Sequence, residues 1–190
     1  MSIIICPGIH ESALTQYFVS GLVEQFVDKA KNQVSANILI VPVEGGLSLS
    51  AFHILQFLHK HLQDRIESPV VFISFSAGVV GAILAAHEWQ QFGGHVKAFI
   101  AIDGWGVPLW GNFSIHRMSH DYFTHWSSSL LGSGQNNFYA DPPVDHLEMW
   151  RSPQTVQGYW VDSFFGESPP QERLTAAEFL HLLLKRYEDN

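Results

Sequence analysis

The segment VVFISFSAGVVGAIL, residues 70–84, decides the fold that this sequence predicts. An apolar run leads into a tight turn of small residues, and an apolar helical segment follows the turn. This order predicts a buried strand, a sharp turn with Ser76 at its tip, and a buried helix. Ser74 and Gly78 flank the tip, and both are small because a strained serine at such a turn brings the adjoining backbones close together.

Apolar segments and amphipathic segments alternate on both sides of this turn. Strands are expected at 3–6, 37–41, 70–75 and 96–102. Helices are expected from Ser12, from Ser50 and directly after Ser76. A turn is expected at 44–46. Such alternation is typical of a parallel sheet with helices on both faces. We therefore predict an α/β fold, a three-layer sandwich with a mostly parallel central sheet, in one domain over residues 1–190.

The second half of the chain is less regular. Residues 104–137 interrupt the alternation with aromatic side chains, histidines, glycines and serines, and we interpret them as an aromatic loop that acts as a cap. A last strand is expected at 137–140, a helix at 153–165 and a linker at 166–170. Residues 175–178, with the sequence TAAE, form a capping box that opens the final helix.

The composition argues against several classes of function. The chain has 190 residues, of which 46% are apolar, and a formal net charge of −8. This negative charge argues against binding to nucleic acid or to an anionic membrane surface. The lone Cys6 rules out an internal disulfide, and no apolar segment is long enough to span a membrane. Because the N-terminus lacks the pattern of a signal peptide, we expect a soluble, cytoplasmic protein without stable membrane insertion.

Ser76 is the candidate nucleophile. A serine hydroxyl is a weak nucleophile at neutral pH, so it needs a histidine that takes its proton and an acid that orients the histidine. The strand, turn and helix around Ser76 favour this role over the alternative, an ordinary serine that caps a buried helix. Ser74 is disfavoured because its own flanking positions, Phe72 and Ser76, are not both small.

His146 is the candidate base. It follows the last expected strand, where a polar pair enters a partly apolar helix, so its imidazole can lie on a loop that faces Ser76. The alternative is a surface histidine or a helix cap. The competing bases are His10, His116, His120 and His125.

Asp103 is the candidate acid. It ends the strand at 96–102, and catalytic groups in open parallel sheets gather at the carboxyl ends of the strands. The glycine that follows leaves room around its carboxylate. Asp141, which lies five residues before His146, is the alternative acid. Asp145 is adjacent to His146 in sequence and is expected to point elsewhere.

Backbone N–H groups must also stabilise the oxyanion that forms when a serine attacks a carbonyl group. One donor is expected to be the N–H of Ala77, directly after the nucleophile, and another comes from a loop after a neighbouring strand. The sequence PGIH at 7–10 follows the first strand, and Gly8 allows close backbone approach. The N–H of Gly8 or Ile9 is therefore the second candidate. The alternative is a turn that only ends the strand.

Aromatic residues of the 104–137 segment are candidates for binding the substrate. They are Trp105, Trp110, Phe123 and Trp126. An aromatic lining over Ser76 suits an acyl chain or an aromatic group. The alternative is that these rings fill the core of an irregular region.

The same segment is rich in residues of metal-ligand type. They are His116, His120, His125 and Asp121. They are scattered among aromatic residues and lack the close spacing that is usual for a zinc site. We therefore expect no metal and no cofactor.

The order serine, aspartate, histidine, with the turn SFSAG at 74–78, resembles the α/β-hydrolase superfamily. Members carry the nucleophile in the form Gly-x-Ser-x-Gly, in which Ser74 here replaces the first glycine. The resemblance implies a compact member that begins at the strand bearing the oxyanion loop. Most members place the acid one strand later than Asp103, whereas pancreatic-type lipases place it after the strand next to the nucleophile, as here. The gap before His146 is short for the family, so Asp141 stays an alternative acid.

The resemblance implies a serine hydrolase of the esterase or lipase type, which cleaves a carboxylic ester or a thioester through an acyl-enzyme. Ser76 would attack the carbonyl carbon, His146 would carry the proton, and Asp103 would orient His146. The partner would be a small-molecule ester with an apolar acyl group. The alternative is a non-catalytic module that keeps the fold and binds a small molecule or a protein, since fold alone does not imply function.

Overall fold

The computed structural model describes residues 1–28, 33–34, 37–43, 46–162 and 172–188. Within these ranges the chain forms ten strands and six α-helices. The first two positions of the turn expected at 44–46, and the whole linker expected at 166–170, lie outside the described residues.

The strands are named β1 to β10 in chain order. Their bounds are Ser2–Cys6, Val27–Asp28, Gln33–Val34, Asn37–Ile40, Val70–Phe75, Val96–Ile102, Ser114–Ser119, Asn136–Ala140, Gln157–Asp162 and Glu172–Thr175. The strands expected at 3–6, 37–41, 70–75, 96–102 and 137–140 are confirmed, although the strand at 137–140 is not the last.

The helices are named α1 to α6. Their bounds are Ser12–Phe26, Ala51–Leu62, Gly78–Gln91, Tyr122–Ser129, His146–Arg151 and Ala176–Glu188. The helices expected from Ser12, from Ser50 and after Ser76 are confirmed. The capping box is confirmed too, because Thr175 Oγ1 accepts from the Glu178 N–H and Glu178 Oε2 accepts from the Thr175 N–H. In the described part of the chain, no helix has a stretch long and apolar enough to cross a membrane.

One eight-stranded sheet organises the fold, in the order β10-β9-β8-β7-β6-β5-β1-β4. The six strands from β8 to β4 are parallel to one another, whereas β9 is antiparallel to β8 and β10 to β9. The expected α/β class with a mostly parallel sheet is therefore confirmed. Because β1, β5, β6 and β7 are parallel neighbours, the residues that follow these strands meet at one edge of the sheet.

Two apolar clusters cover the two faces of the sheet. Successive strand residues face opposite sides, so Ile3 and Ile5 pack with α1, α5 and α6, whereas Ile4 packs with α2 and α3. Trp150 of α5 and Trp89 of α3 are among the largest fully buried side chains of the two clusters. Helices thus cover both faces of the sheet, as the predicted three-layer arrangement requires.

The segment 104–137 is not the continuous loop that the sequence analysis expects. It contains the strand β7, which inserts between β6 and β8, and the helix α4. The strand escapes a search for apolar runs because His116 and Arg117 in its middle are polar and yet buried. The Nε2 of His116 lies 2.6 Å from the hydroxyl oxygen of Tyr187. Burial lowers the pKa of His116 to about 4, so its imidazole is neutral at pH 7.

The helix expected at 153–165 is wrong where the structure describes this segment. Residues 157–162 form β9, and the positions after Asp162 lie outside the described residues. Gly158 lies so close to β8 that an added Cβ would collide with the carbonyl oxygen of Tyr139. Trp160, two residues on, is buried on the same side of the strand. This alternation with a period of two is typical of a strand. It covers too few residues to stand out from the apolar residues around it in the sequence.

Arg117 holds the segments on both sides of β7. Its Nε donates to the carbonyl oxygen of Gly132 at 2.7 Å. Its Nη2 donates to the carbonyl oxygens of Val107 at 3.0 Å and Leu131 at 3.3 Å. Burial lowers the pKa of Arg117 to about 10, which still leaves the guanidinium charged at pH 7. A single buried cation thus provides donors for carbonyl groups of two separate loops.

We expect Arg117→Leu to lower the free energy of unfolding by about 3 kcal/mol, because it removes three hydrogen bonds that the buried guanidinium donates to carbonyl groups. Urea unfolding followed by tryptophan fluorescence measures this change. Arg65→Leu is the matched control, since Arg65 is exposed, and it should change the free energy of unfolding by less than about 0.5 kcal/mol. Equal effects of the two substitutions would contradict the role of Arg117.

Candidate active site

Ser76 stands at the tip of the turn between β5 and α3, as the sequence predicts. Its φ is 52°, a left-handed conformation that is rare for residues other than glycine and that marks local strain. Its N–H donates to the carbonyl oxygen of Ile102 at 2.9 Å, which ties the turn to the end of β6. Ala77 follows as the N-terminal cap residue of α3. The turn is therefore held between the sheet and the helix.

Small residues let the loop after β1 pack against this turn. A Cβ on Gly78 would lie 2.6 Å from the carbonyl oxygen of Cys6. A Cβ on Gly8 would lie 2.9 Å from the Cβ of Ser76. Ser74, at the position of the first glycine of the motif, is fully buried. The close packing explains why the turn and the loop both need small residues.

His146 contacts both Ser76 and Asp103. Its Nε2 lies 3.0 Å from Oγ of Ser76, and its Nδ1 lies 2.9 Å from Oδ2 of Asp103. Because a carboxylate can only accept, Nδ1–H donates to Asp103, and the lone pair of Nε2 can accept the Ser76 proton. The ring stacks on Phe75 of β5, with 4.7 Å between ring centres. The structure thus brings together the residues that the sequence names as nucleophile, base and acid.

Asp103 directly follows β6, and its side chain is 1% exposed. Its φ is also left-handed, at 51°, and its N–H donates to the carbonyl oxygen of Met118 at 2.8 Å. Burial by itself raises the pKa of Asp103, but hydrogen bonds from His120 and His146 lower it by more. The net shift is downward, so this carboxyl group is ionised at neutral pH.

Apart from His120, the other candidate acids and bases lie outside this chain of contacts. Asp141 and Asp145 are exposed. His125 stacks on Tyr139, with 5.3 Å between ring centres. The Nδ1 of His10 lies 2.9 Å from the carbonyl oxygen of the next residue, and His116 is buried against the C-terminal helix. Geometry therefore favours the pairing of His146 with the aspartate after β6.

His120 is the residue whose role the sequence analysis misses. It follows β7 directly, and its Nδ1 lies 3.0 Å from the same Oδ2 of Asp103 that His146 contacts. Its backbone N–H donates to the other carboxylate oxygen, Oδ1, at 2.9 Å. Both residues stand directly after neighbouring parallel strands, and this shared position is the signal that predicts their contact. The contact can therefore be predicted only if β7 is first recognised as a strand in the sequence.

Asp103, His120 and His146 are also, among the described residues, the one group of three potential metal ligands. One ligand atom of each lies within 4.8 Å of the others. Both histidine Nδ1 atoms lie at hydrogen-bond distance from Oδ2 of Asp103, so hydrogen bonds already account for the contacts within the group. His116 and His125, the ligand types that the sequence places near His120, are not part of this group.

A cavity of about 400 Å³ opens beside Ser76. Its polar lining residues include Ser76, Asp103, His120 and His146. Its lining also includes Val80, Trp105, Val107 and Thr124. A concave site with an apolar wall and a few convergent polar groups is typical of a small-molecule site.

Trp105 and Trp110 are two of the expected substrate-binding residues, and only Trp105 lines the cavity. Trp105 lines the cavity, and its indole N–H donates to Oγ of Ser127 on α4 at 3.0 Å. Trp110 does not line this cavity, and its ring stacks on His87 of α3 with 5.0 Å between ring centres, so its position does not support the expected role. That contact belongs to another surface of the protein, since neither residue lines the cavity beside Ser76.

The expected roles of Phe123 and Trp126 are also not supported by their positions. Both lie on α4, with 61% and 51% of their surface exposed, and neither lines the cavity. Thr124, between them in sequence, lies against the cavity instead. The helix presents a different face to the site from the one that its aromatic residues occupy, so an aromatic cap over Ser76 is not formed by this helix.

Sequence comparison does not add a family to this picture. No protein-family model matches the chain, and no curated protein matches its sequence. The chemistry of the site therefore has to be inferred from the contacts of its own residues. Membership of the α/β-hydrolase superfamily stays a prediction.

The expected oxyanion donors belong to the residue after Ser76 and to the loop after β1. Ala77 lines the cavity, and Gly8 approaches the Ser76 Cβ. Ile9 follows with a side chain that is 67% exposed. The loop after β1 thus lies where it can supply a backbone donor, and the role of the Gly8, Ile9 and Ala77 N–H groups stays a prediction.

We expect Gly78→Ala to lower the free energy of unfolding by about 2 kcal/mol, because the new Cβ would collide with backbone carbonyl groups at the end of β1. Gly46→Ala is the matched control, since its φ is −79° and nothing lies within 4 Å of an added Cβ. The control should change the free energy of unfolding by less than about 0.5 kcal/mol. Urea unfolding of both variants tests this, and equal stabilities would argue against the close packing.

Proposed function

We propose that this protein is a serine hydrolase that cleaves a carboxylic ester through an acyl-enzyme. One observation carries the proposal: Oγ of Ser76 lies 3.0 Å from Nε2 of His146, whose Nδ1 lies 2.9 Å from Oδ2 of Asp103. These distances suit proton transfer from the serine and orientation of the histidine. The strained turn at Ser76 and the adjacent cavity support the same chemistry, and so does the resemblance of the turn to the α/β-hydrolases of the esterase and lipase type.

In the first half of the reaction, Oγ of Ser76 attacks the carbonyl carbon of the ester while its proton passes to Nε2 of His146. The carbonyl double bond opens, which leaves an oxyanion on a tetrahedral carbon. When this intermediate collapses, the bond to the alkoxy group breaks, and that group leaves as an alcohol with the proton from Nε2. The acyl group stays on Ser76 as an ester.

In the second half, water attacks the acyl carbon while one of its protons passes to Nε2 of His146. A second tetrahedral intermediate forms and collapses. The bond from the carbon to Oγ of Ser76 breaks, and Oγ regains its proton from Nε2. The product leaves as a carboxylic acid, and the starting state of the site is restored.

Asp103 stabilises the protonated form of His146 that exists in both halves. Its buried carboxylate attracts a protonated imidazole more strongly than a carboxylate in water would. It also holds the tautomer that carries the proton on Nδ1. The N–H of Ala77, with that of Gly8 or Ile9, completes the proposed site as donors to the oxyanion.

The substrate class follows from the cavity. Val80, Trp105 and Val107 offer an apolar surface beside Ser76, which suits the acyl group of a small-molecule ester. A thioester presents the same carbonyl carbon and would follow the same steps with a thiol as leaving group. The cytoplasmic location that the sequence indicates stays a prediction.

We expect a fluorophosphonate probe to label the parent chain and to leave Ser76→Ala unlabelled, because the probe reacts with the hydroxyl that His146 deprotonates. On a chromogenic ester, Ser76→Ala and His146→Ala should lower kcat by about 10⁵-fold or more. Ser129→Ala is the matched control. Its hydroxyl is exposed and donates to a backbone carbonyl oxygen of α4, so labelling and turnover should both stay at the parent level.

Two outcomes would contradict this assignment in different ways. Labelling of Ser76→Ala as strong as that of the parent chain would show that another residue is the nucleophile. A parent chain that is neither labelled nor active, but that binds small molecules in calorimetry, would favour a non-catalytic binding module.

We expect Asp103→Asn to lower kcat on the same ester by about 10⁴-fold, because the amide no longer stabilises protonated His146 and favours the wrong tautomer. Asp141→Asn is the matched control, since Asp141 is exposed and should keep kcat within about twofold of the parent value. If the two variants exchanged these behaviours, the acid would be Asp141.

A further inference from the structure

The Oδ2 atom of Asp103 is shared by two imidazoles. It lies 2.9 Å from Nδ1 of His146 and 3.0 Å from Nδ1 of His120. Since a carboxylate can only accept, both rings present Nδ1–H to it. The ring centres are 5.9 Å apart, and the rings stand edge to face. The proposed reaction uses the contact with His146 and leaves the contact with His120 without a role.

The backbone of His120 adds two further contacts around the site. Its N–H donates to Oδ1 of Asp103 at 2.9 Å. Its carbonyl oxygen accepts from the N–H of Val144 at 3.1 Å, in the segment that leads to His146 at the start of α5. One residue thus fixes both oxygens of the acid and the approach of the chain to the base.

We propose that His120 is a positioning residue, which holds the Asp103 carboxylate against His146 and whose charge state sets how strongly that carboxylate supports protonated His146. The inference rests on the proposed serine-hydrolase function, because it assigns His120 a role in the same site. His120 acts through Asp103 and does not exchange a proton with the substrate.

Charged and titratable groups surround His120 from each element that packs against it. Oδ2 of Asp103 lies 3.0 Å from its Nδ1, and Oδ2 of Asp121, before α4, lies 3.6 Å from its Nε2. The negative charge of Asp145 also acts on His120, as the weakest of the contributions that raise its pKa, and His146 faces the ring from α5. The hydrogen bond to Asp103 raises the pKa of His120, and burial opposes this only in part. Protonated His120 therefore persists to a higher pH than an ordinary histidine would.

Protonation of His120 weakens the support that Asp103 gives to His146. Proton transfer from Ser76 places a positive charge on His146, and Asp103 has a single negative charge to balance it. When His120 is also protonated, that negative charge is shared, and two positive rings repel each other at 5.9 Å. Neutral His120 keeps its hydrogen bond and adds no charge. The active form is therefore the neutral one, and activity should fall as the pH falls through the raised pKa of His120.

Two substitutions separate the hydrogen bond of His120 from its charge. His120→Asn keeps an N–H donor near the position of Nδ1 and cannot take up a proton. His120→Leu has a similar size and has no donor. The measurement is kcat and kcat/KM for a chromogenic ester from about pH 5 to pH 9, with the unfolding midpoint of each variant. His61→Asn is the matched control, because it removes an exposed imidazole from α2.

His120→Asn should reach a plateau at high pH within about threefold of the parent value, with its acid limb moved to lower pH by about 0.5 unit or more. His120→Leu should lower the plateau by about 10- to 100-fold, mainly in kcat, because the acid is no longer held in place. The profile of His61→Asn should superimpose on that of the parent chain. A merely structural role of His120 would lower the plateau and would not move the acid limb.

Labelling of the parent chain at Ser76 by a fluorophosphonate is recorded in parallel, since it tests the proposed function alone. If the parent chain is labelled and the His120 variants keep its pH profile, the role of His120 is wrong and the serine hydrolase stands. If Ser76 is not labelled, the proposed function fails and the inference fails with it. An acid limb that moves to higher pH in His120→Asn would also overturn the inference.

Proton NMR of the imidazole N–H groups gives a second test that needs no turnover. An N–H proton held by a buried carboxylate exchanges slowly and resonates at low field. Two such resonances are expected in the parent chain, one in His120→Asn and none in Asp103→Asn. A single resonance in the parent chain, or two that persist in Asp103→Asn, would overturn the shared contact on Oδ2. This test stands even if His120→Leu does not fold.

Discussion

The buried carboxylate of Asp103 is the group on which the arrangement of the site depends. It accepts hydrogen bonds from the Nδ1 atoms of His146 and His120 and from the backbone N–H of His120. A charge in the protein interior without such partners would be strongly unfavourable. The need to satisfy both carboxylate oxygens therefore brings together the end of β6, the end of β7 and the start of α5. The position of His146 relative to Ser76 follows from this arrangement of the three elements.

A second constraint is steric, and it acts where the turn after β5 meets the loop after β1. Glycines at positions 8 and 78 let the two backbones approach, so the loop lies beside Ser76 before any substrate is present. If this loop supplies a proposed oxyanion donor, that donor is already in place, and nothing has to reorganise during the reaction. Ser76 and Asp103 both have left-handed φ values at the ends of adjacent strands. Their N–H groups bond to the neighbouring strands, which hold both residues in these strained conformations.

Much of the site could be predicted from the sequence, because parallel strands bring their carboxyl ends to one edge of the sheet. Ser76 and Asp103 follow apolar strands that are easy to recognise, and His146 follows a third after a short loop. The role of His120 could not be predicted, because β7 carries His116 at a fully buried position and does not look like a core strand. The burial of His116 is favourable because it contacts Tyr187, which is far away in sequence. The positions of the aromatic side chains could not be predicted for a related reason, since a segment rich in aromatic residues does not show which of its rings turn toward the site.

The shared carboxylate also determines where an added proton goes. Protons on two imidazoles that contact one carboxylate belong to the group as a whole, so the first is accommodated more easily than the second. The negative charge of Asp121 adds to the larger effect of Asp103 in raising the pKa of His120. Its Oδ1 is fixed as the cap of α4 by the Thr124 N–H at 2.6 Å, and its Oδ2 lies 3.6 Å from Nε2 of His120. The Nε2 of His146 faces the hydroxyl of Ser76 instead of a second carboxylate. Protonation of His120 is therefore favoured relative to an ordinary histidine. A proton on His120 would share the negative charge of Asp103 that the proposed mechanism assigns to the support of His146.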